Sequence, residues 1–140
     1  MQLGFVGLGK MGGNMVHRIH RDSDHKVVAF DFSSDAVAAA EGHGATGASS
    51  LEEFASALER PRAAWVMVPA GDITDKTISA LAEVLEPGDA IIDGGNTHYV
   101  DDIRHANELR KKGIHHVDVG TSGGVWGFER GFCLMVCERS

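Results

Sequence analysis

Gly7, Gly9 and Gly12 form G-x-G-x-x-G, and an acidic side chain, Asp31, follows 19 residues after the last of them. Each part suits a phosphate-bearing ligand. The first glycine permits a tight turn, the second lets the backbone approach a pyrophosphate, and the third lets a helix pack closely on a sheet. The free amides at the helix start then face a diphosphate, aided by the helix dipole, and Gly7, Leu8, Gly9, Lys10, Met11 and Gly12 are the candidate cofactor-binding residues. Asp31 lies where a strand-end carboxylate accepts from the hydroxyls of an adenosine ribose. Its charge favours NAD over NADP, because a 2′-phosphate about 4 Å away would be repelled by a few kcal/mol at an effective dielectric near 20. Phe32, Ser33 and Ser34 supply no arginine to neutralise such a phosphate. A methyltransferase also has a glycine-rich first loop, but its acidic E-x-G-x-G-x-G pattern is absent.

Elements that would position these residues can be read along the chain. Strands are expected at Leu3–Val6, Lys26–Phe30, Ala63–Val68, Ala90–Ile92, Ile114–Val119 and Phe132–Val136. Helices are expected from Lys10 to Ile19, from Ser33–Ser34 to the Gly42–Gly44 breaker, after a cap at Ser49 or Ser50, from Asp72 to Leu85, and from Thr97 or Tyr99 to Gly113. Strands alternating with helices of this length imply right-handed crossovers. The fold class is therefore α/β, a doubly wound, mostly parallel sheet of Rossmann type. Apolar strand runs fit a sheet covered on both faces. One domain, 1–140, is expected.

Composition narrows the partners. The 140 residues carry 13 Lys and Arg against 20 Asp and Glu, a formal net charge of −7, and are 43% hydrophobic. That content argues against disorder, and the acidity argues against a sequence-independent grip on nucleic acid. No run approaches the ~20 apolar residues of a membrane span, and the N-terminus lacks the pattern of a signal peptide. A cytoplasmic protein is expected, with Cys133 and Cys137 as reduced thiols. No metal site is expected from the eight histidines. His17 and His20 lie three apart on a helix, His115 and His116 alternate on a strand, and no carboxylate or thiol sits at a spacing that completes a site; His98, beside Asn96, is within reach of the cofactor edge but is not taken as a site residue.

The stretches GFVGLGKMGGNM, IIDGGNTHYVDD and DVGTSGGVWGFERGFCLMV together resemble 6-phosphogluconate dehydrogenase, the decarboxylating enzyme of the pentose phosphate pathway, in its shorter, NAD-preferring branch. The resemblance covers nearly all of the chain up to Val136. It implies that Val68, Pro69 and Ala70 lie along the cofactor and that Asn96 bonds both cofactor and substrate. It also implies that Ser122, Gly123 and Gly124 seat the sugar-phosphate acid through a hydroxyl and backbone amides, a chemistry suited to a carboxylate. The family oxidises C3 by hydride transfer to the nicotinamide, then releases CO2 to give ribulose 5-phosphate. Its lysine base and glutamate acid belong to a helical second domain, and Lys10, Lys26, Lys76, Lys111 and Lys112 match no position of that base. The resemblance thus implies a truncated, NAD-binding half with no catalytic residues of its own and negligible turnover alone. Trp126, Phe128 and Phe132 would form an exposed patch inviting self-association. Another 3-hydroxyacid dehydrogenase, such as one for 3-hydroxyisobutyrate, is disfavoured by the Val-Trp-Gly after the Ser-Gly-Gly. A free-standing NAD-binding or regulatory module is the alternative from a different class.

Overall fold

Short runs rich in valine, alanine and isoleucine, each punctuated by glycine, proline or serine, form the strands of one sheet, and the amphipathic stretches between them form helices. The computed structural model describes residues 2–68, 72–94, 99–122 and 133–139. In chain order the elements are β1 (Gln2–Val6), α1 (Lys10–Asp22), β2 (Lys26–Phe30), α2 (Ser34–Gly42), β3 (Thr46–Gly47), α3 (Leu51–Ala57), β4 (Ala63–Val66), α4 (Asp72–Val84), β5 (Ala90–Asp93), α5 (Tyr99–Lys111), β6 (His115–Ser122) and β7 (Cys133–Arg139). The sheet order is β3-β2-β1-β4-β5-β6-β7. The first six strands are parallel, and β7 runs antiparallel to β6, from Ser122 opposite Cys133 to His116 opposite Arg139. This is the doubly wound, mostly parallel α/β architecture expected from the sequence.

Strand alternation divides the core into two layers. Phe5, Val27 and Ala29 face α1 and α2, where they meet Met15, Val16 and Ala40. Val6, Val28, Phe30, Ala64, Val66 and Ile91 face the other way, against Phe54 of α3, Ile78 and Leu81 of α4, and Leu109 of α5. Burying a large apolar side chain completely stabilises by about 1.5–3 kcal/mol, so Phe54, fully buried, anchors the seven-residue α3. Serine caps fix two helix starts: Ser33 Oγ accepts from Ala36 N–H and Ser50 Oγ from Glu53 N–H. Ser49, the other candidate cap, instead donates to the Glu53 carboxylate at 2.6 Å.

Several boundaries differ from the sequence expectation. Helix α1 runs to Asp22 rather than Ile19, because Ser23 closes it by donating both N–H and Oγ–H to the Ile19 carbonyl, at 3.0 and 2.7 Å. Strand β4 ends at Val66 rather than Val68, although Met67 N–H still donates to the Val6 carbonyl at 2.8 Å. The two-residue β3 was not anticipated; it pairs Val28 with Thr46 and Ala29 with Gly47. Strand β6 continues past Val119 to Ser122, and the final strand is Cys133–Arg139 rather than Phe132–Val136, because the two pair along their whole length. The smaller shifts at Ile92, Leu85 and Ile114 are of one residue.

The amino-terminal end of the central strands β4 and β5 holds a buried carboxylate. Asp89, 1% exposed, accepts from Arg62 N–H at 2.7 Å and Glu86 N–H at 2.8 Å, with the Arg62 Nε 3.8 Å away. It ties the start of β4 to the turn that enters β5.

Histidines cluster where α1 meets the end of α2. The rings of His17 and His43 stack at 3.7 Å, and burial, His43 and Arg21 hold His17 below its ordinary 6.5. Burial, Lys26 and His43 do the same for His20. Both groups bind a proton more weakly folded than unfolded, so stability is present above 6.5 and falls as the pH drops through their folded values. Urea midpoints are expected to fall between pH 7.5 and pH 5.5, and less steeply in a His17→Gln, His20→Gln variant; parallel curves would refute this assignment.

Candidate functional site

The carboxyl end of β1 lies where the chain divides. From β1 it turns to β2 on one side through α1, and it returns to β4 on the other side through α3 on the opposite face. Such a switch point opens a crevice at the strand ends, and the Gly7–Gly12 segment occupies it. Gly7 N–H donates to the Phe30 carbonyl at 3.0 Å. Gly7 has φ +98, and a Cβ there would stand 2.5 Å from the Met67 carbonyl oxygen. A Cβ on Gly12 would collide with the Gly7 carbonyl oxygen, so only glycine lets α1 descend this close to the loop. Gly9 differs: a Cβ there meets nothing within 4 Å. Gly9 is also the N-cap of α1, without a side-chain cap and with no acidic residue in the first turn. The loop therefore combines open space with a helix start whose N-cap residue, Gly9, has no side chain to cap it, a combination that fits a diphosphate.

Register explains where Asp31 points. Alternation along β2 puts Asp31 on the face of Val27 and Ala29, the α1 side, and the pairing of Val6 with Phe30 sets it level with Gly7. Its Oδ2 accepts from Leu8 N–H at 2.7 Å and its Oδ1 from Ser33 N–H at 2.8 Å. Beside it lies a cavity of about 440 Å³ lined by Phe30, Asp31, Phe32, Ser34, Val37, Glu41, Gly47, Ala48, Ser49 and Glu53. Its wall carries three carboxylates and, among the described residues, no cation. Phe32 is 70% exposed and meets Phe30 edge-on at 5.3 Å, leaving an aromatic face open to a ligand.

Those sequence-derived candidates that lie among the described residues fall at one edge of the sheet. Gly7, Leu8 and Gly9 form the loop, Lys10, Met11 and Gly12 the first turn of α1, and Asp31 follows β2. Val68, 8% exposed, follows β4, and Ser122 ends β6 opposite Cys133. Because β1, β2, β4, β5 and β6 are parallel, these positions share the carboxyl edge. Pro69, Ala70, Asn96, Gly123 and Gly124 lie outside the described residues, as do Trp126, Phe128 and Phe132. Gly94, which leads to Asn96, is packed under Trp65 Nε1 and Met67 Sδ so tightly that a Cβ would collide with the indole. Among the described residues no cluster of metal-ligating side chains occurs, and no helix is long and apolar enough to cross a membrane. The sequence reading missed the Asp31–Leu8 bond, the exposed Phe32 and the carboxylates Glu41 and Glu53. A phenylalanine directly after the strand-end aspartate was the available signal for the second.

Residues 2–138 match the family described as the NAD binding domain of 6-phosphogluconate dehydrogenase. The NAD(+)-dependent, decarboxylating 6-phosphogluconate dehydrogenase of Haloferax volcanii is 45% identical over 136 residues, spanning 97% of this chain and 44% of that protein. The decarboxylating 6-phosphogluconate dehydrogenase of Treponema pallidum is 43% identical over 138 residues, spanning 95% of this chain and 28% of that protein. Among solved structures, the Plasmodium falciparum 6-phosphogluconate dehydrogenase, described in apo form, with NADP+ and with 6-phosphogluconate, superposes with a TM-score of 0.86 at 27% identity, covering 97% of this chain and 30% of that one. A Mycobacterium tuberculosis 3-hydroxyisobutyrate dehydrogenase superposes with a TM-score of 0.84 at 25% identity, covering 96% and 45%. The chain spans less than half the length of each of these relatives.

Proposed function

Because the chain belongs to the family of the NAD binding domain of 6-phosphogluconate dehydrogenase, we propose that it seats NAD, in preference to NADP, for the oxidative decarboxylation of 6-phosphogluconate. The observation that carries this reading is the pairing of open space at Gly9 with a carboxylate facing the same loop. In it, the diphosphate lies against Gly9 and the first amides of α1. Asp31 accepts from the ribose hydroxyls, and the adenine packs against Phe32 at the mouth of the cavity. Val68, Pro69 and Ala70 line the path toward the nicotinamide, Asn96 bonds cofactor and substrate, and Ser122, Gly123 and Gly124 hold the sugar-phosphate acid. Bound NAD supplies the hydride acceptor.

Charge carries the choice between the cofactors. A 2′-phosphate would face Asp31, with Glu41 and Glu53 in the same cavity wall and, among the described residues, no cation lining it. One like-charge contact near 4 Å at an effective dielectric of 20 costs about 4 kcal/mol before salt screening. We therefore expect NADH to bind at least about tenfold more tightly than NADPH, the equivalent of about 1.4 kcal/mol. Titration followed by energy transfer from Trp65 and Trp126 to the reduced nicotinamide measures this. Tighter binding of NADPH would overturn the role given to Asp31.

In this reading the family's lysine base and glutamate acid lie outside residues 1–140. The chain alone is therefore expected to form no ribulose 5-phosphate above background when given NAD and 6-phosphogluconate. Measurable, enzyme-dependent NADH production would place a proton-transfer group within these 140 residues and overturn that expectation.

A further inference from the structure

We infer that Asp31 is a positioning residue for the phosphate-facing loop as well as the ribose acceptor proposed above, an inference that rests on that reading. Its carboxylate accepts from Leu8 N–H at 2.7 Å and from Ser33 N–H at 2.8 Å. It thus joins the loop after β1 to the residue that caps α2. The two roles are compatible, because an ionised carboxylate offers about four acceptor sites and the backbone amides use two.

The loop needs such a tie. Gly7 and Gly9 flank Leu8, and glycine carries the largest backbone entropy of any residue. Backbone bonds fix each side: Gly7 N–H to the Phe30 carbonyl at 3.0 Å, and Gly13 N–H to the Gly9 carbonyl at 2.7 Å. Between those anchors, the Leu8 amide is held by the Asp31 side chain, and Leu8 itself is 7% exposed. The bond is charge-assisted and part-buried, the stronger kind of hydrogen bond. Fixing Leu8 in advance sets the direction in which Gly9 and the first amides of α1 meet a diphosphate, so less ordering remains when ligand arrives. It also means that the Leu8 amide is already engaged, and that the diphosphate is met by the amides beyond it.

Two ligands separate the roles. ADP carries the diphosphate and both ribose hydroxyls; 2′,3′-dideoxy-ADP keeps the adenine and diphosphate and lacks both hydroxyls. If Asp31 acts only on the ribose, Asp31→Ala weakens ADP and leaves 2′,3′-dideoxy-ADP unchanged. If it also positions the loop, the variant loses roughly tenfold in affinity for 2′,3′-dideoxy-ADP too, a fraction of what a charge-assisted bond is worth. Asp31→Asn, whose carbonyl can still accept from Leu8 N–H, is expected to recover part of that loss. Calorimetric titration of the 140-residue chain reads these values. A second measurement needs no variant: in the ligand-free wild type, the Leu8 amide is expected to be protected from hydrogen exchange. Unchanged affinity of Asp31→Ala for 2′,3′-dideoxy-ADP, or exchange at Leu8 as fast as in an open loop, overturns this inference alone. A wild-type chain that does not bind ADP removes the proposed function and this inference with it.

Discussion

Gly12→Ala is expected to cost about 3 kcal/mol of stability, while Gly9→Ala, three residues earlier, leaves stability nearly unchanged and weakens NADH binding. The difference lies in what each new methyl group meets. At Gly12 it strikes the Gly7 carbonyl oxygen, a backbone atom whose own residue is pinned by φ +98 and by the bond to Phe30. Neither side can yield without lifting α1 off the sheet and disturbing Met15 and Val16, both buried. The roughly 1 kcal/mol that alanine gains over glycine inside a helix offsets only part of this. A fall in melting temperature on the order of 10 °C follows. At Gly9 the methyl enters space that the protein leaves empty, and in the proposed reading a diphosphate fills that space. NADH affinity is expected to fall by at least about tenfold. Thermal melts and NADH titrations on the two variants decide the matter. Wild-type NADH affinity in Gly9→Ala would mean that the diphosphate does not lie against this loop.

Asp89→Ala is expected to destabilise by about 3–5 kcal/mol without altering nucleotide affinity in the molecules that remain folded. The carboxylate is almost wholly buried and satisfies two backbone amides, those of Arg62 and Glu86, besides facing the Arg62 guanidinium. Removing it leaves two part-buried amide donors without their acceptor and takes the counter-charge from Arg62, whose guanidinium keeps only its bond to the Val84 carbonyl at 3.1 Å, which costs more than the net worth of either bond. Asp89→Asn keeps one good acceptor and is expected to lose less. Because Asp89 precedes β5, it sits at the edge of the sheet opposite the glycine loop, so binding and stability separate cleanly. Urea unfolding gives the first quantity, and NADH titration of the folded fraction gives the second. A loss below about 1 kcal/mol would show that water replaces the carboxylate at those amides.

The ease of reading this chain varied with how local the governing physics was. Lys26–Phe30 was legible to the residue because a lysine, a run of apolar residues and a strand-end aspartate bound it on both sides. The Gly7–Gly12 turn was legible because each glycine answers a steric demand made within a few residues. Strand β3 was not, since two residues, one of them glycine, make no readable pattern and pair because β2 offers an open edge. The extent of β7 through Cys137, Glu138 and Arg139 is likewise set by its partner β6, not by its own pattern. At the candidate site, Asp31 was evident from spacing. Its bond to Leu8 was not, because that contact depends on the β1–β2 register across 23 residues. The carboxylates Glu41 and Glu53 enter the same wall through α2 and α3, which only the folded arrangement brings together.

The central place of β1 in the sheet also orders events during synthesis. Its first partner, β2, follows within about twenty residues, but its second, β4, begins only at Ala63. At about 5–20 residues per second, the ribosome takes roughly 3–12 s to deliver it. During that interval β1, β2, α1 and α2 can already close the layer around Phe5, Val16 and Val27. Val6, Val28 and Phe30, on the other face, wait for Phe54 and the helices that follow. The half-built sheet therefore presents an open edge and a bare apolar face together, and this is the stage at which a holding chaperone has most to shield.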